Sequence, residues 1–455
     1  MSGDPKAREV AAPKIVWLGD DFTGAAAVME VLTFSGMPSL LFLDIPTPQQ
    51  LAACQGIEAF GIATLARSQP PEWMDRHLPP LFAFFDQTGA ELVHYKICST
   101  LDSSPSTGSI GKAIELALAQ FGKSTVPVVT AAPRMRRYQA YGNLFCGAGH
   151  EIYRLDRHPV MARHPVTPMQ EPDVARHLAK QTDIPTRCLD LDRLADPARA
   201  SAFLDRVTGS DICTIDCLDA RHERAVGRLL WERRGTSRFV VGSQGIEYAL
   251  ITHFIDTGAL SKVTPPQGIG TAPLMAVVSG SVSPTTADQI GWARDNGFAT
   301  IRVDALDLCG SEPDRIAAET AVLEASTHAL SKGQCPLIFS AEGPDDPEVA
   351  RLRENVPDLS AANVIIGQSL GRILKALIET AGLRRVAVSG GDTSGHVCTA
   401  LGIFALEAAA PTIPGAAICR ARSETGLDGL QIALKGGQMG TRDYFGWVRK
   451  GGGER

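Results

Sequence analysis

The stretch Gly19-Asp20-Asp21-Phe22-Thr23-Gly24-Ala25 decides how the first half of the chain folds. The apolar run Ile15 to Leu18 leads into it, and the small residues Ala25 to Val28 lead out. That pattern predicts a strand, a tight acidic turn and the start of a helix. Two adjacent carboxylates then lie at the carboxyl end of a strand, where open α/β sheets place their sites. Thr23 and Gly24 suit a helix start, where a hydroxyl can cap and backbone N–H groups are free. Such a turn can hold a hydroxylated, anionic small molecule, with Asp20 or Asp21 accepting a hydroxyl proton and the helix start taking negative charge. An ordinary N-cap beside one solvated aspartate would use the same residues, so the turn needs support from elsewhere.

Working outward, strands alternate with helices. Pro38 to Asp44, Ile57 to Thr64, Leu92 to Ile97 and Val126 to Thr130 read as strands buried on both faces, with helices over Ala25 to Phe34 and Trp73 to Phe85. The fourth strand ends in Lys96-Ile97-Cys98-Ser99-Thr100, followed by a Ser-rich loop and the glycine turn Gly108 to Gly111. Lysine, hydroxyls and glycines at a strand end can bind carboxylate or phosphate. Lys96 is the sharper candidate because its strand is otherwise apolar. Arg134, Arg136 and Arg137 form a basic cluster that would serve as an anion site or as a solvated face. Next come Arg157-His158-Pro159-Val160 and its near-repeat Arg163-His164-Pro165-Val166. These suggest an irregular loop whose histidines hydrogen-bond rather than bind metal.

The chain has 455 residues, too many for one ordinary core, so two domains are expected. Residues 263–273, rich in proline and glycine, form the expected linker between domains at 14–262 and 274–450. The second half repeats the alternation. Its strands end in Ser279-Gly280-Ser281-Val282-Ser283 and in Ser389-Gly390-Gly391-Asp392-Thr393-Ser394, and Lys435-Gly436-Gly437 follows near the terminus. Glycine and hydroxyl turns of this kind can converge on one phosphate chain. The loop is neither G-x-x-x-x-G-K-[ST] nor G-x-G-x-x-G.

At 44% hydrophobic and 21% charged the composition is that of an ordinary soluble protein, and a net charge of -6 argues against nucleic acid as partner. Ten cysteines without a C-x-x-C pair suit reduced thiols. Residues 1–13 lack the apolar core of a signal peptide, and no uninterrupted apolar run of about 18 residues exists, so a cytoplasmic location without membrane contact is expected.

Together these motifs resemble the four-carbon acid sugar kinase family, from about Ile15 to Phe445. The resemblance rests on the Asp-Asp-Phe-Thr-Gly turn, the Lys-Ile-x-Ser-Thr strand end, the His-Pro loop, Gly280-Ser281-x-Ser283, Ser389 to Thr393 and the terminal Lys-Gly-Gly loop. It implies an α/β protein of two domains, each a mostly parallel sheet flanked by helices, with the active site in the cleft between them. The N-terminal domain would bind the acid sugar and the C-terminal domain ATP with Mg²⁺. It further implies phosphorylation of a hydroxyl of a tetronate or 3-oxo-tetronate. Asp20 and Asp21 would be catalytic, joined at the sugar acid by Thr23, Lys96, Ser99, Arg134 and His164. Ser281, Ser283, Gly390, Gly391, Asp392, Thr393 and Gly437 would face ATP, and Asp392 would hold Mg²⁺ through water. The family pattern Lys-Ile-Asp-Ser-Thr-Leu-Arg-Gly-Asn-Ile-Gly is altered here. Cys98 stands for its Asp, Asp102 for its Arg, and about five residues are inserted before Gly111. A branched relative such as 3-oxo-isoapionate is therefore an alternative substrate. A nicotinamide-dependent dehydrogenase and a non-enzymatic acid-sugar sensor are the competing functions, and a homodimer is compatible with the pattern.

Overall fold

The computed structural model describes residues 12–454 except 165 and 208. Residues 1–11 of the stretch read for a signal peptide, and Pro165 of the His-Pro repeat, lie outside the described residues. The chain divides between Val263 and Thr264 into two compact units.

In the first unit the strands are β1 (Ile15–Gly19), β2 (Ser39–Phe42), β3 (Ala59–Ala63), β4 (Leu92–Lys96) and β5 (Val126–Val129). After them come β6 (Arg137–Ala140), β7 (Asn143–Ala148), β8 (Glu151–Arg154), β9 (Thr186–Leu189), β10 (Ile212–Ile215) and β11 (Phe239–Gly242). Eight of them lie side by side in the order β2-β3-β1-β4-β11-β5-β10-β9, and every pairing among them is parallel. All five residues of β1 and of β4 are buried, as crossover helices on both faces require. The chain leaves β1 toward β2 and leaves β4 toward β5 on the other side. The winding direction thus reverses between β1 and β4, and a crevice opens at their carboxyl ends.

β6, β7 and β8 form a separate antiparallel sheet. Its polar, short-period sequence gave no strand pattern; its arginines hold it instead. Arg136 donates to the carbonyls of Gly149 and Glu151, and Arg137 to that of Gly147.

The second unit contains β12 (Ala276–Ser279), β13 (Phe298–Arg302), β14 (Cys335–Phe339), β15 (Arg385–Ser389), β16 (Ile403–Ala410), β17 (Ile418–Ser423) and β18 (Gln431–Lys435). Their order is β13-β14-β12-β15-β18-β17-β16. β17 runs against its neighbours, and the other pairings are parallel. The first four strands of this unit repeat the arrangement of β2-β3-β1-β4, so a second reversal falls between β12 and β15. The helix Leu359–Ala381 is long and apolar enough to cross a membrane, yet it carries Arg372 and Lys375 and buries Ile366, Leu370, Ile373, Leu374, Leu377 and Ile378. It is the core helix of this unit.

One contact ties the first helix to the sheet. The ring of Trp17 on β1 lies over Gly61, its register partner on β3, and its Nε1 donates to the Ala25 carbonyl of the helix Phe22–Phe34 at 3.1 Å. A Cβ at position 61 would come within 2.1 Å of the indole. Gly61→Ala should therefore cost about 1–3 kcal/mol by overpacking. Urea denaturation would read this as a lowered midpoint, and an unchanged midpoint would mean that the indole is free to move.

Candidate active site

Asp20 follows the last residue of β1, and Lys96 ends β4. Parallel register sets Gly19 opposite both Lys96 and Ala63. Three strand ends therefore deliver their next residues to one place. Asp20 N–H donates to the Lys96 carbonyl at 2.9 Å, and Arg67 N–H, from the turn after β3, donates to the Asp20 carbonyl at 2.9 Å.

The side chains form a charged cluster. Arg67 grips Asp20 with both nitrogens, Nη2 to Oδ1 at 2.6 Å and Nε to Oδ2 at 3.2 Å. The same Nη2 lies 2.7 Å from Asp21 Oδ1, which also accepts the Gly24 N–H at 2.9 Å and so caps the helix Phe22–Phe34. Asp21 Oδ2 has no protein partner among the described residues. Burial raises the pKa of Asp20, against the pull of Arg67. Burial also works against the charge on Arg67, but the two carboxylates outweigh it and raise its pKa. Lys96 is buried, donates to the Ile97 carbonyl at 2.7 Å, and makes no ion pair among the described residues. A Cβ on Gly24 would lie 2.5 Å from Asp21 Oδ1 and 2.8 Å from Lys96 Nζ, so only glycine lets these groups converge.

Ser99 is buried on the same loop as Lys96, and Thr23 is half-buried in the first turn of the helix. Beyond Ser99, Cys98 Sγ lies 2.9 Å from Thr100 Oγ1, which donates to Asp102 Oδ1 at 2.7 Å. Burial, then the Asp102 charge, pushes the Cys98 thiol up to about 11, so it stays neutral. Leu101, buried between Thr100 and Asp102, has a left-handed backbone with φ of 56°, a conformation that costs energy and marks sites. The helix start at Ile110 is less open than its glycines suggested. Gln181 Oε1 accepts the N–H groups of Ile110 and Gly111, at 2.7 and 3.2 Å.

Two expected substrate residues are engaged elsewhere. Arg134 is ion-paired to the buried carboxylate of Glu223 at 2.5 Å, bonded to Thr252 at 3.0 Å and stacked over Tyr248. Its guanidinium is thus committed to the flanking helices rather than left for a substrate carboxylate. His164 Nδ1 accepts the Thr167 N–H at 3.1 Å, which closes its own loop. Arg67 was missed by sequence reading. Its signal was the same as that of Lys96, a cation just past an apolar strand.

In the second unit, a cavity of about 560 Å³ opens at the reversal between β12 and β15. Ser281, Ser283, Gly390, Gly391, Asp392, Thr393 and Gly437 all line it. Val349 and Leu352 of the helix Pro347–Asn355, with Leu359 and Ile366, add apolar lining, beside the polar Glu348, Arg353 and Asn363. Sequence reading missed that lining. The turns approach one another closely. A Cβ on Gly280 would lie 2.4 Å from Thr393 Oγ1, and one on Gly437 2.4 Å from Ser281 Oγ. Gly390 has φ of 124°, which a side chain would oppose. Polar turns and apolar lining suit a phosphate chain and a flat base.

Comparison with known proteins assigns these units. Residues 15–250 match the model of a sugar-binding N-terminal domain, and residues 276–445 that of a nucleotide-binding C-terminal domain. The chain belongs to the four-carbon acid sugar kinase family, which these two domains define. It is 42% identical over 447 residues to a 3-oxo-isoapionate kinase of Paraburkholderia graminis, covering 96% of this chain and 94% of that protein. It is 29% identical to a 3-oxo-tetronate kinase of Pseudomonas savastanoi pv. phaseolicola, covering 96% of each. A crystal structure from Salmonella typhimurium LT2 is similar with a TM-score of 0.78 and 26% identity, covering 96% of this chain and 98% of that one.

Removal of the Arg67 charge tests the cluster. Arg67→Met leaves Asp20 buried without its counterion, at a cost of about 3–5 kcal/mol. The folded-state pKa of Asp20 is already raised, and the variant raises it further, so stability falls as pH rises through it. Urea unfolding should show a larger loss at pH 8 than at pH 5. An equal loss at both would show that Asp20 does not need Arg67 as its counterion.

Proposed function

We propose that this chain transfers the γ-phosphoryl group of ATP to a hydroxyl of a branched acid sugar of the 3-oxo-isoapionate type. The chain is an acid sugar kinase that uses ATP. One observation carries the substrate class, namely a buried, unpaired lysine, Lys96, beside a pair of carboxylates. That combination fits a small molecule with both a carboxylate and hydroxyls. Relatedness to the 3-oxo-isoapionate kinase supports the branched form. So does the wall at Cys98, where a neutral thiol linked through Thr100 to Asp102 replaces the family's charged residue.

Phosphoryl transfer needs positioning and charge neutralisation more than covalent chemistry. Lys96 would hold the substrate carboxylate. Asp20 is occupied by Arg67, which leaves Asp21 as the group that accepts the hydroxyl proton through its free Oδ2. An ordinary carboxylate is a weak base, so orienting the hydroxyl is the larger part of its work. Ser281, Ser283, Gly391, Thr393 and Gly437 would surround the phosphates, with the base against Val349, Leu352 and Ile366.

Among the described residues no group of three His, Cys, Asp or Glu side chains could hold a metal by itself. Asp392 is the exposed carboxylate lining the cavity, whereas Glu348 is held by Arg351. This fits Mg²⁺ arriving with the nucleotide and held by Asp392 through water, where it would neutralise phosphate charge.

The test is ADP release with ATP and Mg²⁺ across D-threonate, D-erythronate, 3-oxo-tetronates and 3-oxo-isoapionate. Turnover should be highest on the branched acid; preference for a straight-chain tetronate would overturn the substrate assignment. Asp21→Asn should lower kcat by about 10²–10⁴-fold with the thermal midpoint nearly unchanged. Asp20→Asn should instead disturb stability, and wild-type turnover in Asp21→Asn would remove Asp21 from the reaction.

A further inference from the structure

Among the buried ionisable groups of the second unit that the mechanism above leaves unused, Lys435 lies beside the nucleotide cavity's turns. Lys435 ends β18, just before Gly436 and Gly437, and its side chain is buried. Its Nζ donates to Thr286 Oγ1 at 3.2 Å, to the Gly436 carbonyl at 3.1 Å and to the Gly437 carbonyl at 3.3 Å. Among the described residues no carboxylate pairs with it. The charged and titratable groups on the elements packed against it are Asp288, Arg294, Asp295, Arg385, Asp392, His396, Cys398, Cys419, Arg420 and Arg422, and no carboxylate among them forms an ion pair with this ammonium. A buried cation without a counterion is costly, and such an arrangement persists where an anion completes it.

Thr286 explains where that anion belongs. Its Oγ1 donates to the Gly437 carbonyl at 2.9 Å and lies 3.1 Å and 3.2 Å from the hydroxyls of Ser281 and Ser389. Ser281 Oγ in turn accepts the Ser283 N–H at 3.2 Å, and the Lys435 carbonyl accepts the Gly390 N–H at 2.9 Å. The ammonium and this hydroxyl thus join the Gly437 turn to the Ser281 and Ser389 hydroxyls, and the Lys435 main chain holds Gly390, three of the segments that meet at the cavity.

We propose that Lys435 is the positioning residue of the nucleotide site. Its ammonium ties the Gly437 turn, through Thr286, to the Ser281 hydroxyl and supplies the buried positive charge that nucleotide phosphates complete, so that affinity for ATP depends on its protonation. The inference rests on ATP occupying this cavity.

The sign of the pH dependence follows from linkage. Burial lowers the Lys435 pKa to about 7 in the free protein. A polyanion nearby raises it again, so binding takes up a proton above that pH. Affinity is level below about pH 7, weakens by up to about tenfold per pH unit above it, and levels off beyond the pKa of the complex.

The experiment is calorimetric titration of the full chain with ATP and Mg²⁺ from pH 6.5 to 9, in two buffers of different ionisation heat. Wild-type protein, Lys435→Arg and Lys435→Met are compared. The wild type should take up a proton at pH 8 and lose affinity toward pH 9. Lys435→Arg stays charged, so its affinity should be flat with pH. Lys435→Met should bind ATP at least about tenfold more weakly at pH 7, with KM for the acid sugar unchanged. Identical profiles in wild type and Lys435→Arg would overturn the proposal, as would wild-type affinity in Lys435→Met. Should Lys435→Met fail to fold, the comparison of wild type with Lys435→Arg still decides. A wild type that binds no ATP at any pH would remove the nucleotide reading itself, and this inference with it.

Discussion

In both units the chain reverses its winding direction beside the first strand of the sheet, and both sites depend on that reversal. A right-handed crossover leaves β1 to one side and β4 to the other, so no connection covers the gap between their carboxyl ends. The same holds for β12 and β15. The backbone there is free to present unpaired N–H groups and short side chains to a ligand. The strands themselves are buried on both faces and supply rigidity, not chemistry.

The two crevices are furnished differently. The first gathers charge: Arg67 balances the buried Asp20 and the half-buried Asp21, and the buried Lys96 lies beside them without an ion pair among the described residues. The second gathers backbone and hydroxyls, with few charges and apolar lining. That contrast matches a small polar acid in one and a nucleotide in the other. Each crevice also has a buried lysine at a strand end, Lys96 and Lys435, whose Nζ bonds the carbonyl of the following residue. Curling back in this way keeps an ammonium at the strand end without a protein carboxylate to neutralise it.

Catalytic roles follow from what each group is already bonded to. Asp20 accepts two bonds from Arg67, and that arrangement leaves Asp21 the carboxylate with a free oxygen. Likewise Arg134 is paired with Glu223, whereas Lys96 makes no ion pair among the described residues. The two adjacent carboxylates differ because Arg67 takes both oxygens of Asp20 and only one of Asp21.

The sequence by itself determined the alternation of strands and helices, the break near residue 263, and the turns that furnish both sites. These are local properties: apolar runs, glycine turns and caps are written in consecutive residues. It also determined that Lys96 sits at a strand end, because the apolar run Leu92 to Ile97 closes there. Only the tertiary structure decided which strand ends meet. Arg67 joins Asp20 because β3 lies beside β1, and strand order is not encoded in any one segment. The nucleotide cavity and the antiparallel β17 were likewise invisible, since each depends on residues far apart in the chain. The difference between Asp20 and Asp21 has the same origin: a carboxylate's role is set by what surrounds it, and packing alone supplies those surroundings.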